Sequence, residues 1–139
     1  MKIASIFGGL LLLVVSLNTH AWTGTGNENI DGAREFMRFQ NENGSGASYD
    51  FGEMRHFIGK VEGLSNVFNE PGYKFAVCYP EGTNGGQLFE LAANYLIENP
   101  SERQKDMLIL VWQAHVDAFG KQQWEDCYKH DRWLEVEKL

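Results

Sequence analysis

The chain is short of the residues that commit a protein to chemistry. It has two cysteines, four histidines, and 12 lysines and arginines against 19 acidic residues in a total of 139. Neither Cys78 nor Cys127 has a second close ligand pair beside it, which argues against a metal site. The shortage of positive charge, net −7 at neutral pH, disfavours nucleic acid and anionic lipid as partners and favours a basic protein. Beyond residue 21 no apolar run is long enough to cross a bilayer. Apart from the short stretch 75–78, no run is strand-like, so no sheet is expected and the fold class is all-α.

The catalytic candidates are equally thin. His56, His115 and His130 are scattered, and His115 alone falls on an apolar stripe, where a core role is expected. A thiol nucleophile needs a free cysteine and a nearby base, and no motif pairs either cysteine with one. The glycine-bearing stretch 82–86 lacks the lysine and spacing of a phosphate loop, so turn formation and helix capping explain it better. No cofactor motif is present. The residues point to a binding protein rather than an enzyme.

The first 21 residues have the layout of a cleavable secretory signal peptide. Lys2 supplies a positive start, residues 3–17 are almost wholly apolar, and Thr19 and Ala21 place small residues at the cleavage site. Cleavage is expected after Ala21, leaving residues 22–139 as a single domain exported to the periplasm. Loss of Lys2 leaves 11 basic against 19 acidic residues, a net charge of −8. In an oxidising compartment Cys78 and Cys127 most simply form one disulfide. It would close a loop of about 50 residues, worth roughly 4 kcal/mol in the chain-entropy model. Two free thiols or a bridge between chains are the alternatives.

Residues 22–29, rich in Gly, Thr and Asn, read as a loose tail. Ile30, Ala33, Phe36, Met37 and Gln40 then fall at helical spacing, followed by a polar loop over 41–48. A second helix starts near Asp50, with Phe51, Met54, Ile58, Val61, Ser65 and Phe68 in one stripe that Phe57 and Leu64 widen. Gly59 and Gly63 share a face of it, and two helix-weakening glycines suggest a helix or a partner backbone packed close by. After a Pro-Gly turn, Thr83 or Asn84 caps a third helix, with Gln87 placed to complete a capping box. That helix ends at Asn99 before Pro100. Asn99 or Ser101 caps the fourth, which carries Leu108, Val111, Trp112, His115, Ala118 and Phe119 and stops at Gly120. Trp124, Cys127, Tyr128, Trp133 and Leu134 fit a short fifth helix. The expectation is a compact bundle of four to five helices with one disulfide.

The stretch from Cys78 to Phe119 resembles the Rap/Tai family of immunity proteins associated with type VI secretion. That family's pattern is a cysteine, one residue, Pro-Glu-Gly, a Gln-Leu-initiated helix ending in Tyr-Leu, and a proline. Cys78, Pro80, Glu81, Gly82, Gln87, Leu88, Tyr95, Leu96 and Pro100 stand in those places. Ala118 and Phe119 match the Ala-Phe pair that ends the family's next helix, and residues 57–63 look like its helix with a glycine pair. The likeness covers about two thirds of the mature chain. Two features depart from it: no cysteine pair stands in the first two helices, and Cys127 lies eight residues beyond Phe119.

The resemblance implies a periplasmic helical protein, often a homodimer, that blocks a peptidoglycan amidase toxin by putting a loop into its active site. The candidate loops are 41–48 and 69–84. The second is preferred, because Glu70, Tyr73, Tyr79 and Glu81 set aromatic anchors beside acids. A small periplasmic stress chaperone, resembling the helical acid-stress proteins, is the alternative.

Overall fold

The computed structural model describes residues 23–46, 48–70 and 72–120. The signal peptide and its cleavage site, the fifth helix and Cys127 lie outside the described residues. Within them the chain folds as four α-helices: α1 Gly26–Asn41, α2 Phe51–Phe68, α3 Gly85–Glu98 and α4 Met107–Phe119. A 3-10 turn, Pro100–Glu102, links the last two. The all-α expectation holds: the described residues contain no strand, and residues 75–78 run without regular structure.

Each helix begins where a side chain can answer its unpaired N–H groups. The Asp50 carboxylate accepts from the Glu53 N–H at 3.0 Å and opens α2. Asn84 and Gln87 exchange reciprocal bonds of 3.0 and 3.1 Å at the start of α3, as their spacing implied. Replacing Asp50 with alanine is expected to remove about 1 kcal/mol of stability. The urea midpoint should fall with the m-value unchanged.

Two boundaries differ from the sequence reading. α1 starts at Gly26, not after Asn29, because the Glu28 carboxylate reaches back to the Thr25 N–H at 2.7 Å. The supposed tail is also tied down at long range. Met107 N–H donates to the Gly24 carbonyl at 2.8 Å, and Asn27 N–H to the Arg103 carbonyl at 2.9 Å. At the other end of the chain, neither Asn99 nor Ser101 caps α4. Asn99 with Pro100 starts only the 3-10 turn, and Asp106 caps α4 by accepting from the Leu108 N–H at 2.9 Å.

Helix α1 packs on α2 and α3, α3 on α4, and α4 on α2. The shared core holds Ala33, Phe57, Val61, Phe68, Ala93, Leu96, Met107 and Val111, all almost completely buried. Phe36 of α1 bridges two neighbours, 6.1 Å from the Phe57 ring and 6.1 Å edge-on from Phe89. The buried stripe of α2 is therefore centred on Phe57 and Leu64. Phe51, placed on that stripe by spacing, is 49% exposed.

Among the described residues the close helix approach falls on Gly32, not on Gly59 or Gly63. A Cβ at Gly59 or Gly63 would meet nothing within 4 Å among the described residues. At Gly32 of α1 it would lie 2.5 Å from the Glu53 carbonyl oxygen and 2.7 Å from the Phe57 Cβ. Gly32 is the contact point that lets α1 and α2 cross.

Candidate interaction surface

The segment between α2 and α3 folds back on the end of α2. Val77 N–H donates to the Phe68 carbonyl at 2.9 Å, which buries Val77. Ahead of it, Tyr73 stacks on Phe68 with ring centroids 6.5 Å apart. Tyr73 also meets Phe75 edge-on at 5.7 Å, and Phe75 meets Trp112 at 5.3 Å. These rings form a continuous aromatic lining under the segment.

Tyr79 anchors its far end. The Tyr79 hydroxyl lies 2.9 Å from Nδ1 of His115, and Nε2 of the same ring lies 3.1 Å from the Leu88 carbonyl oxygen. A carbonyl can only accept, so Nε2 carries the proton and Nδ1 accepts from the tyrosine O–H. One buried imidazole thus joins the segment, α3 and α4. The Tyr79 ring also packs edge-on against Phe119 at 5.6 Å. Burial raises the Tyr79 phenol well above its ordinary value, against a smaller opposing effect of the Ser65 hydroxyl.

Burial likewise lowers the His115 pKa below that of an ordinary histidine, partly offset by the bond to the Leu88 carbonyl. The unfolded chain takes up a proton near pH 6.5, whereas the folded protein resists it. The contribution is therefore fully present above about pH 6.5 and is lost as pH falls below it towards the folded-state pKa. The melting temperature is expected to fall between pH 7.5 and pH 5 by more in the wild type than in His115→Gln. Glutamine can make both hydrogen bonds without titrating.

Past Tyr79 the chain makes a tight turn. Thr83 donates to the Pro80 carbonyl through both its N–H, at 3.1 Å, and its hydroxyl, at 2.7 Å. Gly82 sits at φ +84°, the left-handed region that side chains other than glycine rarely adopt. The turn stands over a groove of about 490 Å³ whose lining includes Glu81, Gln87, Glu90, Leu91, Asn94 and Phe119. It presents two carboxylates around an apolar floor.

The four residues singled out from the sequence separate in space. Glu70 and Glu81 are exposed, and Glu81 lines the groove. Tyr73 and Tyr79 turn inward as partly buried rings packed on the core. Glu90, Leu91 and Asn94 were not anticipated. Their signal was available, since Gln87, Glu90, Leu91 and Asn94 recur at three- and four-residue steps along one face of α3.

The other candidate loop, 41–48, is held against the body. The Tyr49 hydroxyl donates to the Glu42 carboxylate at 2.7 Å and accepts from the Gly46 N–H at 2.6 Å. Arg38 bonds the Ser48 carbonyl and lies 4.9 Å from the centre of the Tyr49 ring.

Cys78 is not a free thiol. Among the described residues no cluster of three or more His, Cys, Asp or Glu could hold a metal ion. Among them also, no helix is long and apolar enough to cross a membrane. No protein-family model, curated protein or solved structure matches the chain.

Proposed function

We propose that this protein is a periplasmic immunity protein that binds a type VI secretion peptidoglycan amidase toxin and occludes its active site. The observation that carries the reading is the Cys78-x-Pro80-Glu81-Gly82 entry into a Gln87-Leu88 helix, the pattern that resembles the Rap/Tai family. Its placement is consistent with a contact surface: Glu81 is exposed on the rim of a groove that also holds Glu90. A toxin acting on an anionic cell wall is suited by a basic surface, and complementary charge speeds encounter.

In this reading residues 1–21 are removed after Ala21, Cys78 pairs with Cys127 in the same chain, and the mature protein forms a homodimer. Inward-facing Tyr73 and Tyr79 hold the 69–84 segment in shape, while Glu81 and Glu90 meet the partner. Co-purification with the toxin encoded beside it, together with survival of cells that export that toxin, is the test. A toxin that is not captured, with lysis as fast as in cells lacking this protein, overturns the proposal.

A stress chaperone remains a second reading because of His115. Burial lowers the pKa of its imidazole, so the fold is expected to lose stability in acid, a property an acid-activated chaperone would use. Suppression of client aggregation at pH 4 but not at pH 7 would favour that reading.

A further inference from the structure

A second groove, of about 430 Å³, lies on the outer face of α2 and shares no lining residue with the groove at Glu81. Its character changes along its length. Arg55, His56 and Lys60 line it towards the start of the helix, whereas Gly63 and Val67 line it towards the end. From Arg55 to Val67 the helix runs about 18 Å. One end is therefore cationic and the other apolar, with Val67 39% exposed there. Gly59 and Gly63 keep the middle open: a Cβ at either would meet nothing within 4 Å among the described residues.

Two cations left without a carboxylate stand out on a chain with 12 basic residues against 19 acidic ones. Arg34, Arg38 and Lys105 each pair with a carboxylate, and Arg103 donates to the carbonyls of Leu96 and Ile97. Among the described residues neither Arg55 nor Lys60 has an ion-pair partner, and no Asp or Glu lines the groove. Lys60 donates to the Asn29 side-chain oxygen at 2.7 Å, which holds the ammonium in place and leaves it further N–H groups to offer. Cations at one end of an apolar trough suit a ligand that carries its own negative charge at one end. A second copy suits it less well, since an antiparallel two-fold contact along α2 would set the cationic end of each copy on the apolar end of the other. An anionic bilayer is disfavoured by the net charge of −7.

We propose that this groove binds a single-chain amphiphilic anion, a fatty carboxylate taken up as a monomer. The carboxylate meets Arg55 and Lys60, and the apolar chain lies over Gly59 and Gly63 towards Val67. The volume is that of a small-molecule cleft, and a mostly apolar lining with a few polar groups at one end is the usual make-up of such sites. The bare glycine backbone lets the chain settle without displacing a side chain. The site depends neither on the toxin nor on the Cys78–Cys127 bridge.

The test titrates sodium dodecanoate, below its critical micelle concentration, into the mature, oxidised protein and follows the backbone amides by heteronuclear NMR. Saturable shifts are expected at Gly59, Gly63 and Val67, with Glu81 and Glu90 unmoved. Dodecyltrimethylammonium, which has the same chain and a cationic head, should bind about tenfold more weakly or worse. Arg55→Glu should weaken dodecanoate binding by a similar factor. So should Gly63→Leu, which fills the trough with a residue that favours helix. Circular dichroism checks the fold of each variant, and either one decides if the other does not fold. Equal binding of the two amphiphiles, wild-type affinity in a folded variant, or no saturable shift in the groove overturns the proposal. Binding to phosphatidylglycerol vesicles without binding of dodecanoate monomers also overturns it and assigns the face to a bilayer. A dimer that Gly63→Leu dissociates in sedimentation equilibrium, with no dodecanoate bound, overturns it in favour of a second copy.

Discussion

Replacing Gly32 with valine is expected to cost about 3 kcal/mol, the upper part of the range for overpacking a well-filled interface. A Cβ at this position lies 2.5 Å from a main-chain carbonyl oxygen, that of Glu53. A flexible side chain could swing aside, but a carbonyl inside α2 moves only if the helix moves. The γ-methyls then meet Phe57, which is itself buried and packed on Phe36. Valine's better helix propensity returns only a few tenths of a kcal/mol. The melting temperature should fall on the order of 10 °C, and urea unfolding should show the same loss at an unchanged m-value. A variant as stable as the wild type would mean that α1 and α2 do not cross at Gly32.

If the proposed function holds, reversing the charge of both groove carboxylates, Glu81→Lys with Glu90→Lys, is expected to weaken binding of the proposed toxin partner roughly 30-fold at low salt. Exposed charges at an interface act chiefly on the association rate and are screened within about 10 Å at 0.1 M salt. The loss should therefore appear mainly in the on-rate and shrink as salt is added. Stability should barely change, because both side chains are exposed. Calorimetry or surface plasmon resonance against the purified toxin, at two salt concentrations, reads both parts. Unchanged affinity at both would move the contact surface away from this groove. The contrasting variant Tyr79→Phe removes the donor to His115, so it should lower stability by about 1 kcal/mol and affect binding only through the shape of the segment.

Much of the fold was legible because it depends on neighbours in the chain. Asp50 and Asn84 cap their helices through bonds three residues long, and Gly120 ends α4 at φ +82°. Such signals need no knowledge of what the helix packs against. The start of α1 was equally local, through Thr25 and Glu28, but the glycines around it read as a loop. α4 was misplaced for a different reason. Its first turn depends on a contact with the segment before α1, where Met107 bonds Gly24 and Thr23 bonds the Asp106 side chain. Spacing within residues 99–107 cannot express a partner more than eighty residues away.

The same division runs through the candidate site. By itself the sequence determined the helical class, the acidic net charge and the turn before α3, because composition, periodicity and short-range capping are written along the chain. It could not say that Tyr73 and Tyr79 both turn inward, since nothing local distinguishes an anchor for a partner from a core ring until Phe68, His115 and Phe119 are brought against them. Nor could it choose among the glycines. Gly32, Gly59 and Gly63 are equal in sequence, and they differ only in what lies 3 Å from an absent Cβ. That distance is set by how whole helices cross, and only the tertiary structure decides it.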